Sequence, residues 1–272
     1  MTDVRGTVRR VAMVLTALLL AGCTVDEAPL FPKIVNVGAA PSSPGLGMQG
    51  PAGNRSGFDY DLTNWLGEQL GFTPVSVNVL AKDREDGLQR GTVSLVVATY
   101  SVNDERRAKV EFAGPYMFTQ QGIMVRAEDK DIYHTVADLN GKTVCVTSGS
   151  TSSVQLRTAL GFPVSVVEKD VYEQCRQALH AHQVDALSTD QLLLFGLQKI
   201  DPEVAVPPDI VFGQQERYSI GLPKGDKAKC EAVTRKLAQF IASGLWDTFF
   251  RNNLPNVPVT GHKPDPNRLN SC

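Results

Sequence analysis

Four places in this chain carry residues able to hold a small charged solute. Arg106 has a planar guanidinium that can bind both oxygens of a carboxylate at once, which a lysine cannot do. Spacing alone equally allows a solvated arginine, because Asp104, Glu105, Arg107 and Lys109 surround it. The polar turn Ser148-Gly149-Ser150-Thr151-Ser152 precedes a helical run. Backbone N–H groups at such a place form an anion site, and Ser152 or Ser153 is equally an ordinary helix cap. Asp190 follows the apolar stretch Val184-Asp185-Ala186-Leu187, where it serves either as an acceptor for a cation or as the cap of a helix over 191–199. Arg84, 22 residues before Arg106, is a second guanidinium, or a surface arginine neutralised by Asp83, Glu85 and Asp86.

Other chemistries find little support. His134, His180, His182 and His262 are the four histidines, and they form no Ser-His-Asp arrangement. No CxxC or histidine cluster suggests zinc. Neither a metal nor a cofactor is expected. Lysine and arginine total 27 against 29 acidic residues, so no basic surplus points to nucleic acid.

The elements that must position these residues alternate in type. Strands are expected at 34–38, 73–80, 93–98, 143–146, 164–167, 184–187 and 218–222. Helices are expected at 58–70, 84–90, 136–141, 154–160, 172–182, 191–199, 227–243 and 245–251. Residues 39–56, rich in Gly, Pro, Ser and Asn, read as a loop. Strand–helix alternation implies βαβ units, a largely parallel sheet and two α/β units. Ligands of such sheets occupy crevices at the carboxyl ends of the strands, where the polar turns fall.

The first 23 residues stand apart. Arg5, Arg9 and Arg10 precede an uncharged run over 11–21, too short to span a bilayer comfortably, and then Leu20-Ala21-Gly22-Cys23. This is the pattern of a secretory signal, and small residues before a cysteine resemble the lipobox of bacterial lipoproteins. The resemblance implies cleavage after residue 22 and lipid on Cys23. Residues 23–33 would form a tether, and the mature chain would carry 24 basic and 28 acidic residues. It leaves Cys145, Cys175, Cys230 and Cys272, an even number suited to an oxidising compartment, with three possible pairings.

Five segments in order resemble one family: Gly57-Phe58-Asp59-Tyr60-Asp61-Leu62, the run from Val93 to Arg106, Phe112-Ala113-Gly114-Pro115-Tyr116, Asp138-Leu139-Asn140-Gly141-Lys142, and the turn at 148–152. The chain is identified as a member of the polar amino-acid-binding proteins of bacterial ABC transporters, extracellular solute-binding family 3. The resemblance implies an α/β Venus-flytrap fold of the periplasmic-binding-protein type II class. Lobe 1 would take residues 34–121 plus 222–272, and lobe 2 residues 123–217. Two crossing hinge strands would lie near 122–126 and 218–222. Pairing within one segment favours Cys145 with Cys175 and Cys230 with Cys272, one pair in each lobe.

The resemblance also implies roles. Arg106 and the amide of Thr151, with neighbouring Ser150, would take the α-carboxylate of an amino acid. Asp190, the Thr99 carbonyl and the Ser101 hydroxyl would take its ammonium. Arg84 stands where acidic amino-acid binders carry an arginine, so glutamate or aspartate is the expected ligand, with amides as the alternative. The chain departs from the family pattern at Ala81, where an aromatic often stacks on the ligand, at Thr147, and in the loop after the first strand. Asn54, Arg55 or Tyr100 would compensate. A monomer that closes on its ligand and delivers it to an ABC permease is expected. A sensor docking on a membrane signalling protein is the alternative, and a dehydratase-like enzyme the more remote one.

Overall fold

A computed structural model describes residues 29–270 and 272; the signal segment, Cys23 and the first part of the tether lie outside the described residues. Strand β1 (Ile34–Ala39) leaves Ile34 and Asn36 exposed and buries Val35 and Val37, the alternation of a strand with one covered face. The stretch expected to be a loop instead contains β2 (Ser42–Ser43), β3 (Gly47–Gln49) and β4 (Arg55–Ser56), a small antiparallel sheet. These pairings are made by backbone in two- or three-residue pieces, so no hydrophobic alternation announces them.

Helix α1 (Phe58–Leu70) buries Phe58, Leu62 and Leu66 along one face and stops at Gly71, whose φ of 76° is the left-handed C-cap. Then come β5 (Thr73–Asn78), α2 (Arg84–Gln89), β6 (Leu95–Val96) and α3 (Asp104–Lys109). The strand expected over 93–98 shrinks to the two residues that pair with Val37 and Gly38 of β1, and Thr99 beyond it has φ 46°. Strand β7 (Val110–Arg126) is 17 residues long.

The second half holds β8 (Thr143–Thr147), α4 (Ser152–Ala159), β9 (Ser165–Lys169), α5 (Tyr172–His180), β10 (Ala186–Asp190), α6 (Gln191–Ile200) and β11 (Val204–Ala205). Strand β12 (Val211–Pro223) then returns antiparallel to β7, and α7 (Lys227–Ala242) and α8 (Leu245–Asn253) pack on the first half. A single nine-stranded sheet runs β5-β1-β6-β12-β7-β10-β8-β9, with β11 also on β7.

The sheet is continuous, but the apolar interior is not. One core gathers Phe58, Leu62, Tyr116, Phe240, Trp246 and Phe250. Another, in the second half, gathers Ile123, Val144, Leu156 and Ile210. Strand β7 contributes Met117 to the first and Ile123 to the second; β12 contributes Phe212 to the second and Tyr218 to the first. Both strands thus pass between the cores over residues 118–122 and 213–217.

Two cysteine pairs lie at disulfide distance, with Cα separations of 5.5 Å for Cys145 and Cys175 and 6.0 Å for Cys230 and Cys272. The first joins β8 to α5. The second joins α7 to the end of the chain. No helix among the described residues is long and apolar enough to cross a membrane.

Phe58 is fully buried and its ring neighbours Tyr116, Phe240, Trp246 and Phe249. Phe58→Ala should cost about 3–5 kcal/mol of stability, read from the midpoint of urea denaturation.

Candidate ligand-binding site

Arg84, Thr99, Ser101, Arg106, Ser150, Thr151 and Asp190 all line one cavity between the halves, with a free volume of about 10 Å³. Ala81, Ser152, Tyr172 and Thr189 complete its wall. That is about the room one water needs, so a larger solute enters only if the halves part.

Local structure places each group. Asn103 caps α3 by accepting the Arg106 N–H at 2.8 Å, which starts the helix where its third residue points inward. Arg106 is 6% exposed, so the reading as a solvated arginine fails. Its Nη1 donates to the Ser101 carbonyl at 2.6 Å, and its Nη2 reaches across to the Gly149 carbonyl at 2.8 Å. Its Nε lies 3.3 Å from the Glu85 carboxylate. Burial, and then the charge of Arg84, hold its pKa below the usual value.

Arg84 is 7% exposed and makes no hydrogen bond or ion pair among the described residues; its Nε is buried without a partner. The carboxylates expected to neutralise it do otherwise: Glu85 lies beside Arg106, and Asp86 pairs with Arg90. Both guanidiniums lie over the Tyr100 ring, Arg84 at 5.2 Å and Arg106 at 5.0 Å, a cation–π platform of a buried aromatic. Asn54 and Arg55 do not line the cavity; Arg55 bonds Asn78 instead.

Thr151 is the N-cap residue of α4 but makes no side-chain cap bond, and the Ser152 hydroxyl is buried without a partner. The turn therefore leaves donors facing the cavity at a helix start, as an anion site requires. Asp190 occupies the N-cap of α6, again without a side-chain cap bond. Its carboxylate accepts from the Gln121 amide and the Tyr218 hydroxyl instead. Burial, and then the charge of Glu216, push its pKa well above the usual carboxylate range.

Sequence reading left out Asp59, Gln121, Glu216, Tyr218, Tyr172, Ser152 and Thr189 as site or supporting residues. Asp59 had a signal: an acid three residues before Leu62 and seven before Leu66 lies on the buried face of α1. It accepts the Thr99 N–H and the Tyr116 hydroxyl, both at 2.8 Å, and so holds the strained Thr99 in place. Gln121, Glu216 and Tyr218 had none, because their meeting depends on how β7 and β12 pair.

Away from the cavity, His180, Asp201 and Glu203 bring ligand-type atoms within 4.8 Å of one another. Asp201 already accepts from Arg176, from the His180 ring and from the Glu203 N–H, so the group forms an ion-pair cluster holding α5 to the turn after α6.

Two α/β halves with separate cores, joined by two long strands and enclosing a charged cavity, define a two-lobed binding protein. The chain belongs to the bacterial extracellular solute-binding proteins, family 3, whose model matches residues 35–255. It is 32% identical to the glutamate-binding protein GluB of Corynebacterium glutamicum, over 97% of this chain and 96% of that one. It is also 32% identical to a glutamine-binding protein of Geobacillus stearothermophilus, over 70% and 72% of the two chains. Its fold matches that of an ancestral arginine-binding protein bound to glutamine, with TM-score 0.76 and 26% identity over 82% of this chain and 99% of that one. A cysteine-binding protein from Campylobacter jejuni has the same fold, with TM-score 0.77 and 24% identity over 86% and 96%. The family and these relatives are binding proteins, not enzymes.

Burial pushes Asp59 up to about 6, against an ordinary value of 3.8. Between those values the folded state holds more protons than the unfolded state, so this contribution to stability falls as pH rises from about 4 through about 6. Asp59→Asn should flatten that part of the profile, measured by chemical denaturation at a series of pH values.

Proposed function

We propose that this is an exported, lipid-anchored binding protein that closes on glutamate or aspartate and hands it to an ABC permease. The observation that carries the ligand class is the charge inventory of the cavity: two guanidiniums, Arg84 and Arg106, against one carboxylate, Asp190. An acidic amino acid offers the complement, two carboxylates and one ammonium. Arg106, Ser150 and Thr151 bind the α-carboxylate. Asp190, the Thr99 carbonyl and the Ser101 hydroxyl bind the ammonium, and Arg84 binds the side-chain carboxylate. The glutamate-binding relative supports this choice. An amide ligand would leave the buried Arg84 without a counter-charge, an unfavourable state.

Lipid on Cys23 keeps the protein at the outer face of the membrane, following the charged, apolar and small-residue pattern of the first 23 residues. Disulfides Cys145–Cys175 and Cys230–Cys272 each lie within one lobe, so neither resists opening. Closure is a hinge motion about the crossing strands: the ligand touches both lobes only when they meet, which is where its differential affinity lies. The lobes then meet through a few polar contacts, among them Arg106 with Gly149 and Lys82 with Asp170.

Titration calorimetry of the mature protein should show glutamate or aspartate binding more tightly than glutamine. Arg84→Gln should weaken the acidic ligands by about 2–5 kcal/mol while changing glutamine little. Tight glutamine binding with no response to either acid would remove this assignment. An added Cβ at Gly196 would lie 2.0 Å from the Pro44 carbonyl oxygen of the other lobe. Gly196→Val should therefore hinder closure and weaken ligand at least tenfold; an unchanged affinity in the folded variant would argue against closure at that contact.

A further inference from the structure

The strands that cross between the lobes carry a second buried acid beside the site. Glu216 of β12 is 3% exposed, and its Oε1 accepts from Thr151 Oγ1 at 2.7 Å, Gln121 Nε2 at 3.1 Å and Gln155 Nε2 at 3.2 Å. Thr151 and Gln155 belong to the anion-binding turn and the helix behind it. Gln121, on the other crossing strand, gives the same amide nitrogen to Asp190. One carboxylate oxygen therefore ties together the carboxylate end and the ammonium end of the site.

The orientation of the Gln121 amide follows from its neighbours. Its Oε1 is buried with no partner, while its nitrogen faces two carboxylates and the Thr151 hydroxyl. Flipping the amide would set an oxygen against both acids, so the acids fix it. Two buried carboxylates thus share one neutral donor, and neither has an ion-pair partner within salt-bridge distance among the described residues. Like charges so placed cannot both ionise without cost.

We propose that Glu216 is a positioning residue of the ligand site, which orders the Thr151 turn and, as a second buried acid on the same Gln121 amide, keeps a proton on Asp190 until a ligand ammonium displaces it. This rests on the amino-acid-binding reading above. The exchange balances: the Asp190 carboxylic acid gives its proton to solvent, and the carboxylate left behind accepts from the incoming ammonium. The groups facing Asp190 act in both directions, and burial with Glu216 prevails. Glu216 and burial favour the protonated acid; Tyr218 of β12, Arg106 of α3 and Arg84 of α2 oppose them. Tyr172 of α5 supplies a neutral hydroxyl on the remaining side, bonded to Thr189.

The test is calorimetry of glutamate or aspartate binding in buffers of different ionisation enthalpy, between about pH 5.5 and 8, where the ligand's own groups keep their charges. The wild-type protein should release up to one proton per ligand, and its affinity should fall as pH is lowered, by at most about tenfold per unit. Glu216→Gln keeps the shape but removes the charge, so it should reduce the proton release and move the loss of affinity to lower pH. An affinity lowered equally at every pH, with proton release unchanged, would make Glu216 a merely structural residue and overturn the proposal. Wild-type binding with no proton release overturns it without any variant and leaves the amino-acid reading standing. Failure of the wild-type protein to bind any amino acid overturns both.

Discussion

Burying an arginine without a carboxylate beside it costs several kcal/mol, and Arg84 is buried in that way. A chain keeps such a group only where something else supplies the missing anion. The nearby acids do not: Glu85 lies against Arg106, and Asp86 against Arg90. What Arg84 has is the face of Tyr100, which stabilises a cation without neutralising it. Arg84 is therefore the group on the cavity wall whose counter-charge the neighbouring side chains do not supply.

The same physics acts with opposite sign at the far wall. Asp190 receives neutral donors, Gln121 and Tyr218, and no cation at contact distance. Each end of the cavity thus carries an ionisable group with no counter-charge in contact: the Arg84 guanidinium at one, the Asp190 acid at the other. Tyr100 beneath Arg84, and the hydrogen bonds from Gln121 and Tyr218 to Asp190, hold the two groups in position, and a zwitterion supplies a partner to each. Pairing the charges within the protein would have made a stable molecule with no use for a ligand.

The architecture fits this need. Apolar burial is divided between cores to which the crossing strands β7 and β12 both contribute, and Leu192 and Leu193 of α6 reach into the first-half core. Across the cavity the lobes meet through polar groups such as Arg106 with Gly149 and Lys82 with Asp170. The Cys145–Cys175 pair stiffens β8 against α5, the helix that presents Tyr172 to the cavity.

Much of this was legible in the sequence because it is local. Apolar spacing located α1, Gly71 marked a helix end, and strand–helix alternation gave the α/β class; the family resemblance named the seven residues that line the cavity from both sides. Short backbone pairings at 42–56 left no side-chain pattern to read, and the length of β6 is set by its pairing with Val37 and Gly38 of β1. Spacing could not decide whether Arg106 was solvated, whether Asp190 capped a helix, or whether Arg84 was neutralised by its neighbours. Those answers depend on what lies opposite, and only the pairing of β7 with β12 and the approach of the two lobes bring distant groups there. Glu216 meets Gln121 from 95 positions away, and local chemistry carries no information about a partner that far along the chain.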